Sequence, residues 1–214
     1  MVHRTLAFNN LTCGFWSPNV GMTGPKGKAR EPNASEHGTF VIWNAKTFLF
    51  EGFKIPEYQE TSCVHGSSEI GIRSTYFIKL TNIKTNDSLM VMSLHGNGGA
   101  KNDIKRKILI ESIFNQIIIN FEIPCIIGGD FNTERDKFLE ITKKYSGKLN
   151  VAVNKGKDIY THIDMTDNNS NTNKWYLDYI VSNCELTLPE LSGDFGRNYG
   201  LNNDHKQVKT IISL

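Results

Sequence analysis

The segment at residues 126–132 (IIGGDFN) most constrains the fold of this 214-residue chain. Its apolar beginning is typical of a strand buried on both faces, and two glycines then precede Asp130 and Asn132. Because side chains alternate along an extended chain, we expect the carboxylate and the amide to project in the same direction. Together they suit a hard cation or a phosphate-bound nucleophile, whereas an Asx turn is the purely structural alternative.

Three other predicted strand ends carry polar side chains of the same chemical kind. His95 follows the apolar run at residues 89–94, and Asp178 interrupts an otherwise apolar strand, where a carboxylate is costly to bury without a partner. Asp204 and His205 stand just before the last predicted strand. A single strand-end His or Asp is more often structural than catalytic, but four such ends in one chain favour a functional site.

The remaining pattern predicts a single α/β domain over residues 1–214, because apolar strands alternate with amphipathic helices. The predicted strands are residues 39–43, 47–53, 73–80, 89–94, 124–128, 177–181 and 208–214, and the predicted helices are residues 102–120 and 133–145. In the first helix Lys105, Arg106 and Glu111 are expected on faces away from the apolar stripe. Residues 44–46 are predicted to form a hairpin turn between two strands, and residues 15–36 and 165–174 to form surface loops.

Composition excludes several functional classes. The chain has 24 Lys and Arg against 22 Asp and Glu, for a net charge of +2, which is too balanced for binding nucleic acid by bulk electrostatics. No apolar run is long enough to span a bilayer, and the N-terminal residues do not resemble a secretory signal. The four cysteines lack metal-binding spacing, and Cys125 is predicted to be a buried thiol, so we expect an intracellular protein.

The motifs SLHGNGG, GGDFN, LDYIVSN and NDHKQV, in that order, resemble the endonuclease/exonuclease/phosphatase superfamily, which includes deoxyribonuclease I and abasic-site endonucleases. The resemblance runs from about residue 37 to residue 214. It implies a deoxyribonuclease I-like fold: two packed mixed β-sheets flanked by helices in a four-layer α/β sandwich, here shortened at the N-terminus.

The resemblance also implies roles for the residues at the four strand ends. Asp130 and Asn132 would position or activate the attacking water and contact the scissile phosphate. His205 would act as general base or as a phosphate contact, with Asp178 accepting its ring proton. His95 would stabilise charge on the phosphoryl oxygens. These groups suit in-line attack on a phosphodiester.

The implied metal ligands are Asp204, Asp130 and Asn132, with Glu36 as a further candidate, and the expected ion is Mg²⁺, or Mn²⁺ in its place, since the ligands are oxygens. Glu36 stands where deoxyribonuclease-like members carry a Glu that pairs with the strand-end histidine, here His95; a solvated loop carboxylate is the alternative. The Gln-Glu strand that carries the family's principal metal ligand has no counterpart before residue 39. An incomplete sequence, a divergent enzyme and an inactive relative all fit that difference.

Two functional hypotheses follow. The first is a Mg²⁺-dependent phosphoesterase that hydrolyses a phosphodiester, with nucleic acid or a nucleotide as substrate. The second is a catalytically inactive relative that keeps the fold as a module binding phosphate, nucleic acid or protein. A monomer is the expected state, and no membrane-spanning segment is predicted.

Overall fold

The computed structural model describes residues 5–8, 12–18, 38–54, 77–96, 103–154, 159–163, 174–192, 196–198, 201–203, 205 and 207–212. The helices are α1 (Asp103–Asn120) and α2 (Arg135–Lys143). The strands are β1 (Thr5–Phe8), β2 (Thr12–Pro18), β3 (Gly38–Asn44), β4 (Phe48–Lys54), β5 (Phe77–Asn82), β6 (Ser88–His95), β7 (Cys125–Asp130), β8 (Asn150–Ala152), β9 (His162–Ile163), β10 (Lys174–Trp175), β11 (Asp178–Ser182), β12 (Glu190–Ser192), β13 (Gly196–Asn198), β14 (Leu201–Asn203) and β15 (Gln207–Lys209).

The largest sheet has six strands in the order β4-β5-β6-β7-β11-β8. Only β6 and β7 run parallel, and α1 connects them, while the other neighbouring pairs are antiparallel. A parallel connection requires a crossover, and the helix predicted at residues 102–120 supplies it. The predicted strands in this sheet are confirmed, except that residues 73–76 of the strand predicted at 73–80 lie outside the described residues. The order of the strands sets which strand ends are neighbours.

A second sheet, β1-β2-β3, is antiparallel throughout its described strands and packs against one face of the six-stranded sheet. Trp43 of β3 lies in one apolar cluster with Ile78, Leu80 and Leu89 of the larger sheet. The hairpin predicted at residues 44–46 is therefore wrong: the chain does turn there, but β3 and β4 belong to different sheets. The inward-facing apolar residues of both strands pack in the core between the two sheets.

The helices cover the opposite face of the six-stranded sheet. Alternate residues of β6, Met90, Met92 and Leu94, pack there with the apolar stripe of α1. Cys125 is fully buried in the same cluster, as predicted, and this burial raises the pKa of its thiol. Arg106, by contrast, is not on a solvated face, because its side chain is buried. The two packed sheets with flanking helices agree with the predicted fold class.

Other predicted boundaries shift. Strand β2 reaches Pro18, so residues 15–18 are not part of a loop, and residues 19–37 lie outside the described part of the chain. Helix α2 begins two residues later than predicted, and regular pairing of the last strand is confined to β15. The 165–174 loop falls outside the described residues except for Lys174, which belongs to β10. Among the described helices, none is long and apolar enough to cross a membrane.

Candidate active site

Three of the polar strand ends form one row across the six-stranded sheet. His95 is the last residue of β6 and lies opposite Asp130, the last residue of β7, in the parallel register. Asp130 in turn lies opposite Asp178, the first residue of β11, in the antiparallel register. Since neighbouring strands lie about 4.8 Å apart, backbone pairing alone brings an imidazole and two carboxylates together.

Glycine is required at two positions beside this row. Gly129 has a φ of 140°, and a Cβ there would lie 2.0 Å from the carbonyl oxygen of Leu94 on the neighbouring strand. A Cβ on Gly96, which follows His95, would lie 2.6 Å from the carbonyl oxygen of Phe131. The close approach lets the Gly96 amide donate to the carbonyl of Asp130 at 2.7 Å, which ties the ends of β6 and β7 together.

Asn132 turns back toward Asp130 and fixes its carboxylate. Its backbone amide donates to Asp130 Oδ1 at 2.7 Å, and its side-chain Nδ2 donates to Oδ2 at 3.0 Å and to the carbonyl of Gly96 at 2.9 Å. Strand alternation is not the reason, because Asn132 lies beyond the strand with a φ of 50°. Such a left-handed conformation is comparatively well tolerated by asparagine. The predicted neighbours do meet, through an Asx-type turn that leaves the carboxylate held at both oxygens.

His205 reaches the row from outside the six-stranded sheet. Its Nδ1 donates to Asp178 Oδ2 at 2.9 Å, and this hydrogen bond fixes the orientation of the ring. The second ring nitrogen is Nε2. This Nε2 lies 4.0 Å from Asp130 Oδ2, and His95 Nε2 lies 3.7 Å from the same oxygen. Two imidazoles therefore flank one carboxylate oxygen.

The exposure of these side chains is graded. Both histidines are about one third exposed, at 35% for His95 and 33% for His205, whereas the side chains of Asp130 and Asp178 are each 15% exposed. The carboxylates thus form the floor and the imidazoles form the accessible walls. A solvent-borne group can therefore reach the imidazoles and the edge of Asp130.

The sequence reasoning missed two adjacent residues, Thr161 and His162. The fully buried Thr161 hydroxyl accepts hydrogen bonds from the amides of Leu177 and Asp178, at 2.9 and 3.1 Å. His162 forms a backbone bridge with His205, and the centroids of their rings are 4.4 Å apart. Thr161, just before β9, therefore contacts Asp178, and His162, the first residue of β9, contacts His205.

Trp175 helps to hold His162 in place. The two residues are paired in the β9–β10 ladder, and their ring centroids are 5.4 Å apart. The sequence offered little signal for this contact, because a Tyr-Thr-His tripeptide near a polar loop has no distinctive periodicity. The pairing of β9 with β10 is needed to see that His162 lies beside His205.

An aromatic layer lies beneath the site. The rings of Tyr179 and Phe138 stack with a centroid distance of 3.8 Å, and Phe131 packs edge-on against both. The buried Tyr179 hydroxyl donates to the carbonyls of Thr133 and Tyr176, and burial raises its pKa far above the usual value. The Thr133 carbonyl thus accepts a hydrogen bond from Tyr179, and helix α2 begins two residues later, at Arg135.

The remaining predicted site residues, Asp204 and Glu36, lie outside the described part of the chain. Within that part, no group of three or more His, Cys, Asp and Glu residues is arranged to hold a metal ion. The donor chemistry at Asp130 and Asn132 nevertheless fits an oxygen-preferring divalent ion, because the Asn132 Oδ1 accepts no hydrogen bond from the described residues. One carboxylate and one amide oxygen are thus on hand, and further oxygens are needed to complete a site.

The fold matches solved structures over most of the chain. D. rerio TDP2 complexed with single-strand DNA product superposes with a TM-score of 0.61 at 14% identity, covering 80% of this chain and 70% of that one. The human Nocturnin catalytic domain with bound sulfate gives 0.60 at 15% identity, covering 94% and 73%. An endonuclease/exonuclease/phosphatase family protein from Leptotrichia buccalis gives 0.59 at 18% identity, covering 95% and 72%.

No family model matches the sequence, and no curated protein matches it either. These three structures are 14–18% identical to the chain, so the matches concern the fold. The chain has the deoxyribonuclease I-like fold of the endonuclease/exonuclease/phosphatase superfamily, as its motifs predicted.

Proposed function

We propose that this protein is a divalent-metal-dependent phosphoesterase that hydrolyses a phosphodiester bond in a nucleic acid or nucleotide. The observation that carries the proposal is the convergence of Asp178–His205, His95 and Asp130–Asn132 at one edge of the sheet. A satisfied structural histidine needs one partner, whereas here two partly exposed imidazoles flank the same carboxylate, whose side chain is 15% exposed. The fold supports the proposal but does not by itself define an activity.

In this mechanism His205 is the general base. Its Nδ1 is held by Asp178, so Nε2 takes the proton from a water that lies between His205 and Asp130. The fixed carboxylate of Asp130 orients that water for in-line attack on phosphorus. His95, on the other side of Asp130, donates to a phosphoryl oxygen as negative charge accumulates there.

The metal is assigned to oxygen ligands. We propose that Asp130 and Asn132 hold a Mg²⁺ or Mn²⁺ ion together with Asp204, and with Glu36 as a further candidate. When bound, the ion supplies positive charge that stabilises the oxyanion of the transition state. Asn132 Nδ2 keeps the Asp130 carboxylate oriented by bonding to it and to the Gly96 carbonyl at once.

Hydrolysis of bis(p-nitrophenyl) phosphate and of a labelled oligonucleotide, with Mg²⁺ or Mn²⁺ and with EDTA, tests the proposal. We expect metal-dependent turnover that falls by at least about 10²-fold in His205→Ala and in Asp178→Asn, because both changes remove the base or its orientation. Asp136→Asn is the matched control, since that carboxylate is 96% exposed on α2. Full activity in His205→Ala, or activity unaffected by EDTA, would contradict the proposal.

The inactive-relative hypothesis predicts a different result in a metal titration. Isothermal titration with Mg²⁺ and Mn²⁺ should show millimolar or tighter binding that Asp204→Asn abolishes if the enzyme hypothesis holds. No detectable binding, together with no turnover, would favour a non-catalytic module. Cooperative urea unfolding of each variant verifies that the comparison is made between folded proteins.

A further inference from the structure

A cleft of about 180 Å³ lies between the N-terminal turns of α1 and α2. Helix α1 follows β6 and α2 follows β7, so both N-termini stand at the sheet edge where these parallel strands end. That edge also carries His95 and Asp130. Thr133, one residue beyond Asn132, lines the cleft and thus links it to the candidate active site.

The lining of the cleft combines positive charge with an apolar floor. Among the described residues, Arg106, Lys107 and Lys137 line it, and Glu140 is the one acidic side chain there. Arg106 is only 8% exposed, so its charge is presented to the cleft from a largely desolvated position, where electrostatic interactions are stronger. Lys107 and Lys137 are exposed and can follow a ligand at the rim.

Two isoleucines supply the apolar surface of the cleft. Ile141 is buried beneath the cleft, and Ile104 is exposed at its edge. An inorganic anion alone gains nothing from such surfaces, whereas a nucleotide presents a phosphate and, a few bonds away, the apolar faces of a sugar and a base. The lining therefore matches a nucleotide better than it matches a free anion.

We infer that this cleft is a subsite for the nucleotide that flanks the scissile bond of a single-stranded polynucleotide. Lys107, Lys137 and Arg106 bind its phosphate, and the isoleucine surfaces contact its sugar or base. The inference rests on the proposed function, because it assumes that the scissile phosphate lies at His95 and Asp130. It adds that the substrate is a chain of nucleotides rather than a single small phosphodiester.

The test measures binding of a fluorescent single-stranded oligonucleotide by anisotropy across a salt series. The test protein is the double variant Lys107→Ala/Lys137→Ala, and the control is the double variant Lys84→Ala/Lys148→Ala. Both control lysines are exposed. Lys84 lies in the turn before β6 and Lys148 follows α2, so each stands at the end of its element that is remote from the cleft. Removing one lysine that neutralises a phosphate of a single strand lowers the salt dependence of log K by about 0.7. We therefore expect this slope to be about 1.4 smaller in the test variant and unchanged in the control.

Catalysis provides the second readout. The ratio of kcat/KM for the oligonucleotide to kcat/KM for bis(p-nitrophenyl) phosphate should fall several-fold in the test variant and stay constant in the control. Equal slopes in both double variants would overturn the subsite, as would equally tight, lysine-dependent binding of an oligoglutamate peptide of matched charge. Binding is measured without turnover, so the two proposals can fail separately. Lysine-dependent binding without any hydrolysis would contradict the proposed function but would still support nucleotide binding in the cleft.

Discussion

The candidate site has two parts that are held in place by different means. His95, Asp130, Asn132 and Asp178, here the sheet part, lie in or next to hydrogen-bonded strands of one six-stranded sheet. His205, the arm part, lies between β14 and β15, which do not belong to that sheet. Its supports within the described part of the chain include one backbone bridge, one ring contact and one hydrogen bond to Asp178.

The difference predicts where substitutions act. The sheet part is specified by strand register and by close backbone approach. Substitutions there should therefore lower the stability of the fold before they affect catalysis. The arm part is not held by the register of that sheet, so substitutions at its contacts should leave the fold intact and change the geometry of the general base. A displacement of about 1 Å can cost on the order of 10²-fold in rate.

The largest effect on stability is expected for Gly129→Ala. The new Cβ would lie 2.0 Å from the Leu94 carbonyl at a φ of 140°, so the strands must separate or the backbone must change. We expect the free energy of unfolding to fall by roughly 3 kcal/mol or more in urea titrations. Alkylation of buried Cys125, mapped by mass spectrometry, should increase at the same time.

Gly128→Ala is the control for that change. Its Cβ would meet only the Ile180 Cγ1 at 3.8 Å, an ordinary contact, so we expect a change within about 1 kcal/mol. Equal destabilisation by the two substitutions would mean that glycine at position 129 is not required by the register of β6 and β7. The sheet part would then owe its geometry to other contacts.

A smaller effect is expected for Thr161→Val, which changes the link between the two parts. Valine keeps the shape but removes the acceptor for the amides of Leu177 and Asp178, and leaving such donors unsatisfied costs about 1–3 kcal/mol. Activity should fall too, since Asp178 begins β11 at this point. Thr161→Ser retains the hydroxyl and should recover both quantities; a serine variant as impaired as the valine variant would contradict the assignment.

The contrast between the two parts also separates what the sequence could predict from what it could not. Asp130, His95 and Asp178 stand at the ends of short apolar strands, and strand ends can be identified from local pattern alone. The approach of Asn132 to Asp130 was expected for the wrong reason, because an extended strand was assumed where the chain turns.

Other features depend on tertiary contacts that local pattern does not carry. Residues 44–46 turn, but whether a turn joins paired strands or passes between sheets depends on the core around Trp43. Arg106 is buried, although the period of α1 alone places it among the exposed residues. Thr161 and His162 act through pairing with a strand that follows after a polar loop, and no local signal indicates such pairing.

The smallest effect on stability, and the sharpest test of the arm part, is expected for His162. Its ring lies between those of His205 and Trp175, with centroid distances of 4.4 and 5.4 Å, so His162→Ala should free the His205 ring to rotate away from Asp178. We expect kcat to fall roughly ten-fold with KM and the unfolding midpoint nearly unchanged. His162→Phe restores an aromatic surface and should recover most of kcat. If His162→Phe does not recover kcat, then His162 contacts the substrate itself and does more than support His205.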